Sequence, residues 1–490
     1  MSACESCGGG ARVDAQPDKA ARPALTRVFL GLSRGMCRTC RELVEARYVA
    51  DATGVFLERY CKEHGTSRAE VAETLPWYLD AMQAPSASRP PAKVLGPRQQ
   101  ACPQACGPCE FHAQKCNLPV FSITNACNLR CPICFTFNRA DQTYFMSSDE
   151  FRRHIDFVVE TTGGVDLVNI TGGEPTMHPD LLELLALAKR PEIGRITVNT
   201  NGLVLAKKPE LARALADLGV YVILSLDTLD PELSVRIHGR DITREKREAL
   251  EVLEKHDVQT TLLMVLIGGV NEHELGTLVD LTLRRDFVRS LTIQTMTYTG
   301  QGGALFEPRQ HISVEGVERR LEEVSGGRLR RRDFMPLPTA HPLCYGVNYL
   351  LLDAEGTPYS FAELLPRQVV AEHLVDGYLL RPTPKLEEEL RLAIDRLWAA
   401  GKSEGALKAL KHMLQTLYPT KPLSVPERQR LAERQVKTIY AHAHMDEDTY
   451  EIGRAIRCPD QVPVHAERLI GACNYNLFYR MKDERFWVER

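Results

Sequence analysis

Between residues 118 and 303, short runs rich in β-branched and aliphatic residues alternate with stretches whose apolar positions recur at helical spacing. Six runs read as strands: Val120–Thr124, Val165–Ile170, Ile196–Thr200, Tyr221–Leu226, Thr260–Leu266 and Ser290–Gln294. The spacers, such as 181–190 and 209–218, read as helices. A helix between successive strands implies parallel pairing through right-handed crossovers. The pattern predicts an α/β fold: a partial (β/α)6 barrel, open on one side, with its chemistry at the carboxyl ends of the strands.

The flanks have different patterns. Residues 1–35 are rich in Ala, Gly and Pro and read as a poorly ordered tail. Residues 36–98 read as a small metal ribbon and linker: Cys37 and Cys40, an alternating run, a turn at 51–54, a second run, then Cys61 near His64. Its fourth ligand is open between His64, Cys4 and Cys7, and its metal between zinc and a single iron. Residues 99–117 carry Cys102, Cys106, Cys109 and Cys116, enough to close an auxiliary iron–sulfur cluster. Residues 118–303 form the core barrel. Residues 304–490 read as a C-terminal auxiliary-cluster and substrate domain, with Cys344, Cys458 and Cys473 lacking an assigned fourth ligand.

Composition narrows the class. A chain of 490 residues exceeds what one core usually supports. A net charge of −3 argues against a nucleic-acid binder, which needs a basic face. No apolar run is long enough to span a bilayer, and the N-terminus lacks a secretory pattern, so a cytoplasmic protein is expected, with peripheral membrane contact left open. Fifteen cysteines in a reducing compartment favour metal ligation over disulfides.

The most specific chemistry lies at Cys127, Cys131 and Cys134, spaced C-x3-C-x2-C. Three thiolates leave one iron of a [4Fe-4S] cluster open to a small molecule. A structural zinc knuckle is the competing reading, but zinc favours four ligands with C-x2-C pairing. Gly172, Gly173, Glu174 and Pro175 follow the second strand, where glycines let backbone approach closely. Together the two motifs resemble the radical S-adenosylmethionine (SAM) superfamily. The resemblance implies that the open iron binds SAM and that one electron cleaves it to methionine and a 5'-deoxyadenosyl radical. It implies that Ile133 and Phe135 pack on the adenine, and that the Gly172–Pro175 turn holds the SAM amino group. Asn199, Asn201, Ser225 and Asp227 are expected to contact SAM or line the substrate cavity, with ferredoxin or flavodoxin as reductant.

The order of the cysteine groups, with His341-Pro-x-Cys344, Met445-Asp446 and Cys473-x-Tyr-Asn after the barrel, resembles the cysteine-rich tetraether lipid synthase-like enzymes. That resemblance implies C–C coupling of two lipid chains, an auxiliary cluster storing a carbon radical between two SAM cleavages, and a long-chain substrate. An apolar tunnel would be needed, for which Leu386, Leu390, Leu397, Trp398, Leu407, Leu410, Leu414 and Leu417 are candidates; an ordinary core face is the plainer reading. The alternative is methylation or another modification of a small polar molecule such as a pterin precursor.

Overall fold

A computed structural model describes residues 27–94, 102–103, 106–107, 109–136, 143–306, 309–401, 403–464 and 468–486. Cys4 and Cys7, with most of the expected tail, lie outside these residues. The strands are β1 Arg27–Met36, β2 Leu43–Asp51, β3 Gly54–Cys61, β4 Gly65–Ala72, β5 Leu118–Ser122, β6 Val165–Thr171, β7 Ile193–Thr200 and β8 Tyr221–Ser225. They continue with β9 Thr260–Leu266, β10 Val288–Thr295, β11 Met335–Pro336, β12 Tyr345–Leu352, β13 Pro358–Ser360, β14 Val436–His442, β15 Asp460–Val464 and β16 Arg468–Gly471.

The six expected barrel strands are β5 to β10, and each neighbouring pair is parallel. The helices between them pack on the outside. The helix Ser148–Thr162, for example, starts where Ser147 accepts the Glu150 N–H and stops at Gly163 in the left-handed region. Its Phe151, Ile155 and Val158 are fully buried on the barrel, each stabilising the fold by about 1.5–3 kcal/mol.

Residues 304–490 pack a core of their own and also share the barrel's sheet. The sheet runs β11-β12-β14-β10-β9-β8-β7-β6-β5-β15-β16, with β13 on β12, so strands from the C-terminal region extend both barrel edges. The open edges of β10 and β5 would expose unpaired backbone groups, and β14 and β15 pair with them in parallel. Across the remaining gap, the hydroxyl of Tyr345 on β12 donates to Asp460 Oδ2 on β15 at 2.5 Å, and Tyr378 donates to the other carboxylate oxygen.

The C-terminal helical run is two helices, Pro384–Ala400 and Glu404–Leu417, broken at Gly401 (φ +58°). Leu386, Leu390, Leu410, Leu414 and Leu417 are buried in a core outside the barrel lumen, with Val347 and Leu351. Trp398 is 73% exposed. None of the eight tunnel candidates lines the cavity beside the cysteine loop. Their helical periodicity records an ordinary packing face.

The expected tail also needs correction. Residues 27–36 form β1, because the run alternates and places Val28 and Leu30 against the core of Tyr48, Val55 and Leu57. With β2, β3 and β4 it makes an antiparallel sheet docked on the barrel. Arg59, fully buried at that junction, donates to Met36 O and to Glu447 O at 2.8 Å.

Candidate functional site

The loop after β5 carries Cys127, Cys131 and Cys134, and all three line one cavity of about 390 Å³ together with Gly172, Gly173 and Glu174. The glycines serve the cysteine loop directly. A Cβ on Gly173 would stand 2.2 Å from Ala126 O, and one on Gly172, at φ +152°, 2.4 Å from Thr124 O. Gly173 N–H donates to Thr124 O and Glu174 N–H to Ala126 O, each at 2.7 Å. The turn is therefore clamped against the backbone that carries Cys127.

Glu174 is 1% exposed. Its Oε1 accepts from Thr176 N–H at 3.0 Å and the Thr200 hydroxyl at 2.7 Å, and its Oε2 from Asn201 N–H at 2.7 Å. This carboxylate joins the ends of β6 and β7. Pro175 opens the short 3-10 turn Pro175–Met177 behind it. Asn199, Asn201, Ser225 and Asp227 all line the same cavity. Asn201 Nδ2 also reaches Asn128 Oδ1 at 2.7 Å, linking the strand end to the cysteine loop. Ile133 is buried with Ile237, Ile267 and Met296, and Phe135 stacks on His444 with centroids 5.7 Å apart.

Three residues here had no individual signal in the sequence. Lys246 is buried and donates from Nζ to Asn201 O at 2.8 Å and Ser225 O at 2.5 Å; burial pushes its pKa down, against the pull of Asp227 and Cys131. His238 Nε2 lies 3.0 Å from Asp227 Oδ2. His444 lies between the cysteine loop and Cys473, its Nδ1 3.6 Å from Cys473 Sγ. The alternation Ala441-His442-Ala443-His444 could have placed both histidines on one strand face.

The thirteen cysteines among the described residues are all free. Among the described residues Cys37, Cys40, Cys61 and His64 present ligand atoms within 4.8 Å of one another, a donor set that fits a single tetrahedral ion. Asn474 Nδ2 reaches Cys106 Sγ at 3.2 Å and Cys102 Sγ at 3.8 Å, and Cys109 is close enough to Cys106 to influence its thiol. Cys116 sits in the barrel core, beside Asp460 and Gln461. On the far side of His444, Arg454 Nε donates to Cys344 Sγ at 3.4 Å and Met445 N–H to Cys473 Sγ at 3.3 Å. Cys458 feels both Cys473 and Cys344.

Burial pushes the Cys131, Cys458 and Cys106 thiols up, and Cys473 up to about 12. Such thiols ionise only beside a strong positive charge, and iron supplies one. Cys127, Cys131 and Cys134, together on one cavity wall, are a donor set that fits an iron–sulfur cluster.

Known proteins agree with this geometry. Residues 121–282 match the profile of the Radical SAM superfamily, and residues 29–73 that of the HMPTM N-terminal zinc ribbon domain. The 7,8-dihydro-6-hydroxymethylpterin dimethyltransferase of Methanocaldococcus jannaschii is 24% identical over 92% of this chain and 95% of its own length. The GTP 3',8-cyclase of Chlorobaculum tepidum is 34% identical over 35% of this chain and 52% of its own. Streptococcus suis SuiB bound to S-adenosylmethionine aligns over 43% of this chain and 47% of its own, with a TM-score of 0.36 and 20% identity. The core has the α/β radical SAM fold, preceded by a ribbon whose cysteines and His64 could hold a metal. Radical SAM chemistry requires a one-electron reductant. Among the described residues no helix is long and apolar enough to cross a membrane.

Proposed function

We propose that the chain is a radical SAM enzyme acting on a small polar molecule of the reduced-pterin class, methylating or otherwise modifying it. When bound at Cys127, Cys131 and Cys134, a [4Fe-4S] cluster with SAM supplies a 5'-deoxyadenosyl radical that removes hydrogen from an unactivated carbon. The observation that carries the substrate class is a row of polar side chains on the wall of an otherwise largely apolar cavity beside those cysteines. Asn169, Thr197, Ser225, Thr261, Thr292 and Gln294 line it from successive strands. Such side chains offer hydrogen-bond donors and acceptors to a heterocycle rich in ring nitrogens and carbonyls. The relative matched over nearly its whole length, named for a pterin, supports the same class.

In this reading the residues have distinct tasks. Glu174, Thr200 and Asn201 fix the strand ends that frame SAM, while Lys246 holds Asn201 and Ser225 by their carbonyls. Asp227 and His238 form a buried pair at the cavity wall. Ile133 and Phe135 supply apolar surface against an adenine, and Asn199 and Asn201 polar groups for its ribose. Cys102, Cys106 and Cys109, and Cys344, Cys458 and Cys473, carry auxiliary clusters, while Cys116 packs in the barrel core.

The test is 5'-deoxyadenosine release by the reconstituted, reduced protein with and without 6-hydroxymethyl-7,8-dihydropterin. Stimulated release with a mass change in the pterin supports the proposal. Release unaffected by any pterin removes this substrate class. A second reading, coupling of alkyl chains, draws on the order of the cysteine motifs and on the cavity's length, with Leu167, Leu263 and Val436 deep in the lumen. New double-length lipids in anaerobic cells expressing the wild type, absent with Cys131→Ala, would select it.

A further inference from the structure

The cavity does not end at the cysteine loop. Cys131 and Glu174 line it at the carboxyl ends of the strands, and Arg195, Arg289 and Glu433 line it at the opposite end. Arg195 sits near the start of β7 and Thr200 at its end, a separation of roughly 16 Å along the strand. We propose that this floor is a phosphate-binding subsite, in which Arg195 and Arg289 hold a phosphate group on the end of the substrate remote from the cysteine loop. The inference deepens the small-polar-substrate reading and rests on it for the head group only.

Arg289 is 6% exposed. Its Nη1 donates to Glu433 O at 3.4 Å and to Arg434 O, and its Nη2 to Asp286 O; its Nε–H has no partner. Arg195 lies over the Tyr221 ring, 4.1 Å from its centroid, and pairs through Nη2 with Glu433 Oε2 at 2.9 Å; its Nε–H is likewise unpartnered. A purely structural role explains the Nη contacts of Arg289 with carbonyls of neighbouring segments. It leaves the two buried Nε–H donors without a match.

The charges at this end do not cancel. Glu433 is the cavity-lining carboxylate there, and Arg195, the Tyr221 hydroxyl and Gln429 Nε2 already occupy it. Against it stand two guanidinium groups; Lys437, which donates to the carbonyls of Thr282, Arg285 and Val288, is pushed by burial down to about 7 and adds little charge. Asp286 attracts Arg289 from an exposed position on the solvent side. Asp166, near Arg195, is held by Arg381 and by the backbone N–H groups of Tyr378 and Leu379. An excess of guanidinium over carboxylate at this end of the cavity favours an anion, and guanidinium groups match phosphate oxygens in geometry as well as charge.

The test compares paired probes on the cluster-loaded protein: 6-hydroxymethylpterin against its phosphate monoester, and dodecanol against dodecyl phosphate. We expect the phosphate member of a bound pair to bind at least about tenfold tighter, with the gain shrinking as salt is added. Arg289→Gln should abolish most of that gain and Arg289→Lys keep part of it; the wild-type comparison stands even if a variant fails to fold. A gain confined to dodecyl phosphate keeps the subsite and ends the pterin reading. No phosphate-dependent gain in either pair overturns the subsite.

Discussion

Asn201 donates its backbone N–H to Glu174 Oε2 at 2.7 Å, so one buried carboxylate ties the turn after β6 to the end of β7. Thr200 and Thr176 donate to the other oxygen. Replacing Glu174 by Ala leaves these donors without an acceptor in a buried site. Hydrogen bonds to a charged group contribute about 1.5–3 kcal/mol each, so Glu174→Ala should lower the thermal midpoint by several degrees. Glu174→Gln should recover part of the loss. Calorimetry of the three proteins checks this, and an unchanged midpoint in the Ala variant would show that the carboxylate does not bind the strand ends together.

Gly173 makes the cysteine loop sensitive to a single methyl group. With its Cβ position 2.2 Å from Ala126 O and backbone on both sides, no flexible side chain can give way. Gly173→Ala should therefore displace the segment leading into Cys127 and reduce cluster iron at that site, while zinc in the ribbon stays at wild-type level. Metal analysis of the purified variant, zinc and iron together, is the measurement.

The ribbon metal should be lost in acid. Desolvation opposes ionisation of Cys37, but the backbone N–H groups of Cys40 and Thr39 hold its pKa down at about 7. Metal ligation needs the thiolates, so protons compete with the ion. Because the bound ion itself opposes protonation of its thiolates, retention should be full at neutral pH and fall only in acid. His64→Ala, which removes the fourth ligand, should shift the loss to higher pH. Zinc release followed with a colorimetric chelator reads both effects.

Much of this arrangement was legible in the sequence. The strand periodicity located β5 to β10, and the spacing of Cys127, Cys131 and Cys134 placed the cavity mouth. What was not legible depends on contacts between distant segments. The run that became β14 reads as an ordinary apolar stretch, and only the bare edge of β10 makes it a barrel strand. Asp460 gave no sign of bridging to Tyr345, 115 positions away. Lys246 lies on the helix Thr243–Lys255, whose charges suggest a solvated face, yet its ammonium lies under two strand-end carbonyls. For β1 the composition of the preceding residues obscured a clear alternation.

The histidines of β14 and its exit predict a pH response. Burial pushes His442 well below its ordinary value and His444 down to about 4, with Arg454 adding to both. Unfolded, each would titrate near 6.5, so below that pH the unfolded chain binds more protons than the folded one. Stability should be constant from these groups above about pH 6.5 and fall as pH drops from there towards 4. His444→Asn should flatten part of that decline in a pH series of denaturant midpoints.

The most direct test of the central claim is 5'-deoxyadenosine formation by the anaerobic, reconstituted and reduced chain, wild type against Cys131→Ala, with zinc in the ribbon as the folding control. The account predicts SAM cleavage by the wild type and none by a variant that keeps its zinc. Equal 5'-deoxyadenosine from both proteins would contradict the assignment of Cys127, Cys131 and Cys134 as the SAM-activating site.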